Sequence, residues 1–209
     1  MSSAVRPQAG TDLTDLPYVL RHAVTLGVVT AVVVAVMSFI TRFLAGPAEF
    51  GLGAVVLVAG LAAVTFLPGH WTRARTIEGI GGAAGIGLAA TFVFLVIDVA
   101  VLQPAGMYTN RWREIGGDSN WWYHPVWWMV GTFLPWMGAQ ILASQARKGA
   151  VSLVAGLLTA LALTVGCWVV AALVHFPGAG WNLATFGVSF LPGVTLAAVV
   201  GAATGRRSA

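Results

Sequence analysis

Long apolar segments separated by short polar connections dominate the sequence. Six segments stand out, and each is close to the roughly 20 residues that a helix needs to cross a bilayer core. They cover residues 23–41, 50–68, 79–103, 125–144, 149–174 and 183–205. Membrane-spanning strands would alternate polar and apolar positions over about 10 residues, whereas these segments are continuous. The pattern therefore predicts an all-α membrane protein, a bundle of six transmembrane helices.

The composition agrees with lipid as the main solvent of the chain. Hydrophobic residues make up 58% of the 209 residues and charged residues 9%, against about 25% charged residues in a soluble domain. The first segment holds nineteen residues without a charge, which is longer than the roughly 7–15 apolar residues of a signal peptide. The only cysteine, Cys167, lies in an apolar segment and is interpreted as a small packing residue.

The basic residues predict the orientation. An N-terminus inside the cell places eight basic residues on the inner side and three, Arg42, Arg111 and Arg113, on the outer side, as the positive-inside rule requires. We therefore expect residues 1–22 and 206–209 to be cytoplasmic tails flanking a membrane domain over residues 23–205. The long connection between the third and fourth helices becomes external, and the expected location is the cell (inner) membrane.

Small residues at four-residue intervals predict faces where helices approach closely, because packing drives helix association in lipid. One such face lies on the third segment and a longer one on the sixth. Their residues are Gly81, Gly85, Ala89, Gly193, Ala197, Gly201 and Gly205.

Polar and aromatic residues concentrate on the predicted outer side. Asp98 lies about three residues from the outer end of the third segment, hence roughly 5 Å inside the apolar slab, where a carboxylate needs a partner. We expect Arg111 or Arg113 to pair with it, or Asp98 to belong to a binding site. The full set of candidates for a ligand or ion site is Asp98, Arg111, Glu114, Asp118, Trp121, Trp122, His124 and His175.

The same region offers little for metal or cofactor chemistry. Glu114, Asp118, His124 and His175 show no recognised metal-ligand spacing, so we predict no metal site, and no residue pattern identifies a cofactor. None of the four histidines lies in the middle of a segment, which disfavours a buried haem. The sequence contains no serine-hydrolase, zinc-protease or P-loop motif, so no catalytic residue is assigned.

Three functions remain open. The absence of catalytic motifs and the tryptophan-rich external connection favour a non-catalytic subunit of a larger membrane complex. The first alternative is a small-solute transporter or substrate-binding membrane component with an outward-facing site for a small-molecule ligand. The second is a quinone-linked or other redox subunit. The basic residues lie in short groups between apolar segments rather than in one stripe, which excludes nucleic acid as a partner, and leaves the lipid bilayer and other membrane subunits as the expected partners.

Overall fold

Six long helices form the protein in a computed structural model, which describes residues 13–108 and 123–205. The predicted all-α fold of six helices is confirmed. The helices are α1 (Leu16–Phe43), α2 (Gly46–Trp71), α3 (Ile77–Ile97), α4 (Tyr123–Arg147), α5 (Leu153–Leu173) and α6 (Leu183–Gly205). The third predicted span does not end as a regular helix, because α3 continues into a π-helical turn over Asp98–Leu102.

Five of the six helices are long and apolar enough to cross a membrane, and α4 is not among them. Helix α4 contains Trp, Pro, Gly and Gln residues, which lower its hydropathy. Its residues 141–144 are all buried, and four consecutive residues face every side of an α-helix. Because α4 is surrounded by protein at this level, it does not need an apolar surface against lipid there.

Helix α4 is the centre of the bundle. It packs against α2, α3 and α6, while α1 packs against α3 and α2, and α5 packs mainly against α6. The largest apolar cluster lies between α2, α4, α5 and α6 around Phe66, Leu134 and Phe190. A second cluster joins α1, α3 and the start of α4 around Val34 and Phe94.

Contacts between helix ends show which ends lie together. The Leu13 N–H donates to the Thr72 carbonyl at 3.0 Å, and the Tyr18 hydroxyl donates to the Trp71 carbonyl at 3.0 Å, which joins the start of α1 to the end of α2. The Lys148 ammonium donates to the Thr204 hydroxyl at 2.5 Å and joins the end of α4 to the end of α6. We call the end of the bundle at which these contacts lie the basic end. Its basic residues are Arg21, Arg73, Arg75, Arg147 and Lys148.

The opposite end carries Arg42, whose guanidinium donates to the Gly106 carbonyl at 2.6 Å. Among the described residues, basic side chains therefore concentrate strongly at one end of the bundle.

Glycine contacts bring backbones together along α3, α4 and α6. A Cβ atom added at Gly87 of α3 would collide with the Gly131 carbonyl oxygen and Pro135 of α4. One added at Gly193 of α6 would collide with Thr164 of α5, and one at Gly201 would lie 3.3 Å from Ser144 of α4. Two residues of the predicted α6 face, Gly193 and Gly201, therefore lie at helix contacts.

The predicted small-residue face of α3 does not make the close contact with α4. An added Cβ at Gly81 or Gly85 would have no atom within 4 Å. The close approach of α3 to α4 uses Ala83 and Gly87 instead, both buried. Gly81 and Gly85 therefore border open space, whereas Ala89 packs against the apolar cluster around Leu26 and Ile86. The pairing of this predicted face with another helix stays a prediction.

Candidate functional site

An apolar cavity of about 240 Å³ lies between α1, α2, α3 and α4. Its residues on α1 and α2 lie near the middle of those helices, whereas on the other two helices it extends to Phe94, close to the end of α3, and to Trp127, close to the start of α4. Among the described residues of its lining, Thr30 and Thr91 carry hydroxyl groups, Trp127 carries an indole N–H, and the other side chains are apolar. Both hydroxyls donate to carbonyls of their own helix, to Leu26 at 2.9 Å and to Gly87 at 2.9 Å, which leaves a surface suited to hydrocarbon rather than to water.

The residues that line the cavity differ in burial. Buried residues of α3 and α4, among them Ala90 and Leu134, form what we call the cavity floor. Half-buried residues of α1 and α2, among them Val33, Met37 and Leu61, form what we call its rim. Because these rim residues lie in the middle of their helices, their exposed parts face the flank of the bundle.

Two aromatic rings close the cavity at one end. Phe94 of α3 is completely buried, and its ring lies 4.5 Å from the ring of Trp127 of α4. Both residues contribute to the lining. The pair marks the boundary between the apolar cavity and a polar cluster beyond it.

Asp98 forms the centre of that polar cluster. It follows Phe94 by four residues, so the two side chains share a face of α3, and it is completely buried. Gln103 donates from Nε2 to Oδ2 of Asp98 at 2.7 Å, and the Tyr108 hydroxyl donates to Oδ1. Both donors belong to the connection that follows Asp98 in the chain. They replace the hydrogen bonds to water that the carboxylate loses when it is buried.

The π-helical turn makes the contact with Gln103 possible. The Gln103 N–H donates to the Asp98 carbonyl at 2.9 Å, a bond that spans five residues instead of four. In a regular α-helix the residue four positions on, Leu102, would stand over Asp98. The extra residue in the turn shifts Gln103 onto that face, and turns of this kind are frequent at functional sites.

The other predicted site residues divide into two groups. Arg111, Glu114, Asp118, Trp121 and Trp122 lie outside the described residues, as does Arg113. The remaining two lie among the described residues. His124 is half-buried in the first turn of α4, and His175 is exposed just after α5, with a left-handed φ of +52°.

The described contacts do not bring His175 to Asp98. Helix α5 packs mainly against α6, whereas α3 packs against α1, α2 and α4. Of the predicted set, Asp98 and His124 lie on the two helices that face each other at this end. Their membership of one binding site stays a prediction.

Sequence reasoning missed the cavity and the partners of Asp98. Tyr108 and Gln103 were not candidates, because a five-residue spacing does not put two side chains on one face of an α-helix. The polar and aromatic character of the segment after Asp98 is visible in the sequence, but the cavity is a gap between four helices and leaves no local pattern.

The chain matches no protein-family model, and comparisons with curated proteins and with solved structures find no match.

Proposed function

We propose that this chain is a non-catalytic, six-span protein of the cell membrane that binds the apolar part of a lipid or lipid-like molecule between α1, α2, α3 and α4. The observation that carries the proposal is the apolar cavity and its almost wholly apolar lining. Its volume of about 240 Å³ exceeds the roughly 150 Å³ of an engineered apolar cavity that binds benzene. It can hold a segment of a hydrocarbon chain, and we propose that this chain enters from the flank of the bundle.

We include α4 as the sixth span. It has 25 residues and hence a length of roughly 37 Å at the α-helical rise, and it lies among helices that meet the requirements for crossing. The concentration of described basic residues at one end supports a cytoplasmic position for that end and for both termini. The opposite end, with Asp98, then faces outward.

The cluster around Asp98 gives the proposed ligand a place for a polar group. Asp98 lies one helical turn beyond Phe94, and Phe94 lines the cavity. A molecule with an apolar chain and a polar head fits this succession of surfaces. Asp98 would then fix the orientation of the ligand, with the head toward the outer surface.

A photoreactive fatty acid with a diazirine in its chain, reconstituted with the protein in nanodiscs, tests the proposal. Mass spectrometry would locate the crosslinks, which we expect on cavity residues of α1 to α4. Ala90→Leu should reduce that labelling several-fold, because Ala90 is buried in the cavity floor. Ala59→Leu is the matched control, since Ala59 is exposed on α2 and does not line the cavity.

Thr30→Phe provides a second blocking variant at the rim, where extra volume is easier to accommodate. Crosslinks spread evenly over the lipid-facing surface, or equal labelling of the Ala90→Leu and Ala59→Leu variants, would refute a specific site in the cavity.

A second candidate function is that of a subunit that pairs with another membrane protein. The open space beside Gly81 and Gly85 favours it, because two small residues four positions apart allow a partner helix to approach closely. Native mass spectrometry after gentle solubilisation tests this function. We expect a stoichiometric partner in the wild type and its loss in Gly85→Leu, and a chain that is always isolated would rule the function out.

A further inference from the structure

A second cavity, of about 400 Å³, lies at the basic end of the bundle. It forms where α2 ends and turns toward α3. Apolar residues of α4 and of the connection to α5, Leu142 and Val151, provide one wall. The polar side chains in its lining are those of Tyr18, His70, Arg73 and Arg75.

The backbone at Arg73 is unusual. The Ala74 N–H donates to the Gly69 carbonyl at 2.9 Å and the Arg73 N–H to the His70 carbonyl at 3.1 Å, and the φ of Arg73 is +49°. This is the Schellman arrangement that ends many helices, and its left-handed position usually holds glycine. A residue with a Cβ atom is strained there, and among the described residues other than glycine only Arg73 and His175 have a left-handed φ. Such strain makes the side chain of Arg73 a candidate for a functional role.

The side chain of Arg73 is available for a ligand. It is exposed in the cavity, and its guanidinium makes no hydrogen bond or ion pair with the residues that the structure describes. Arg75 also lines the cavity, and it has an interaction of its own. The nearest acidic residue in sequence, Glu78, accepts a hydrogen bond from the Thr14 hydroxyl at 2.9 Å and does not line the cavity.

These groups suit a phosphate. An arginine fork pairs with two phosphate oxygens at once, and basic pockets between membrane helices bind anionic headgroups. The C-terminal end of α2 carries a partial negative charge that disfavours an anion, so the arginines must supply the attraction. The apolar wall and the indole of Trp71 are typical of the depth at which headgroups lie.

We propose that this cavity binds a phosphate group, carried by an anionic lipid headgroup or by a soluble phosphorylated molecule. The site is distinct from the apolar cavity. The two share no lining residue, so either can be tested without the other.

The test uses the full chain in nanodiscs made of equal amounts of phosphatidylcholine and phosphatidylglycerol. Native mass spectrometry would measure which lipid remains bound after release from the disc. We expect phosphatidylglycerol to be enriched on the wild type and its apparent affinity to fall about tenfold in Arg73→Gly, through loss of charge-assisted hydrogen bonds. Glycine suits the left-handed position, so the variant should unfold at the wild-type temperature or above it.

Arg21→Gln is the matched control, because it removes one exposed positive charge of the same end without touching the cavity. Arg75→Gln is a second variant that leaves the left-handed residue in place. A second arm titrates inorganic phosphate and glycerol 3-phosphate into protein in neutral phosphatidylcholine discs. A rise in unfolding temperature there, abolished by Arg73→Gly, would assign the site to a soluble ligand.

Three results would overturn the proposal. One is no preference for the anionic lipid together with no response to soluble phosphate. Another is an equal loss of affinity for phosphatidylglycerol in Arg21→Gln and Arg73→Gly, which would show only a general effect of surface charge. The last is binding that persists unchanged in both arginine variants of the cavity.

Discussion

Helix α4 meets its neighbours α2 and α3 in different ways. Along α3 the backbones stay close, with Gly87 against the Gly131 carbonyl and Ala83 packed with Ala139 and Ala143. Along α2 the contact is close only near the basic end, where Gly138 lies against the Thr65 carbonyl. Farther along, Leu57, Leu61 and Val64 of α2 face the apolar cavity instead.

Side-chain size explains the difference. The distance between two packed helices depends on the residues at the contact, and glycine lets backbones approach closely in lipid. Thr65 and Gly69 of α2 are small, whereas Leu57, Leu61 and Val64 are bulky aliphatic residues. Helix α2 therefore separates from α4 toward the end that carries Asp98, and the proposed binding site is the resulting gap.

The largest expected effect comes from the close contact of α2 with α4. Gly138→Ala would push a Cβ atom into the Thr65 carbonyl oxygen, and we expect it to lower the free energy of unfolding by about 3 kcal/mol, as overpacking does. Gly85→Ala is the control, because its Cβ would meet open space. Thermal unfolding in detergent measures both, and two equally stable variants would contradict the close α2–α4 contact.

A smaller loss of stability is expected from a change in the polar cluster around Asp98. Asp98→Asn replaces an acceptor oxygen with an amide donor that faces Gln103 or Tyr108, and a buried group left without a partner costs about 2 kcal/mol. Cys167→Ala, at a half-buried residue, should cost clearly less. Equal unfolding temperatures for the two variants would remove Asp98 from the proposed site.

Filling the apolar cavity should stabilise the protein when no ligand is bound. Ala90→Leu adds three carbon atoms at the cavity floor, and cavity filling commonly adds about 1 kcal/mol to the free energy of unfolding. The measurement is thermal unfolding of delipidated protein beside Ala59→Leu. A marked loss of stability in Ala90→Leu alone would mean that the floor has no spare volume.

The smallest effect is expected for the hydroxyl of Thr65. This buried Oγ1 has no hydrogen-bond partner among the described residues, so Thr65→Val should change the free energy of unfolding by less than about 0.5 kcal/mol. Shape, rather than hydrogen bonding, would then hold α2 against α4. A loss of more than about 1 kcal/mol would reveal a polar contact of this side chain.

The sequence by itself determined the all-α fold and the approximate position of each helix. The length of an apolar segment is a local property, and it decides directly whether a helix can cross a bilayer core. It also identified Asp98, since a carboxylate near the end of such a segment is conspicuous. It did not reveal that α1 begins at Leu16, seven residues before the predicted span, because the added turns carry polar residues.

The tertiary structure decided which faces meet. Gly81 and Gly85 have the spacing of a packing face, yet Ala83 and Gly87 make the contact with α4. Several faces of a glycine-rich helix carry small residues, and the position of the neighbouring helix decides which of them forms the contact. The apolar cavity, the pairing of Asp98 with Tyr108, and the strained Arg73 likewise depend on atoms distant in sequence or on backbone angles. The pattern of apolar residues along the chain contains no information about long-range contacts or about backbone angles.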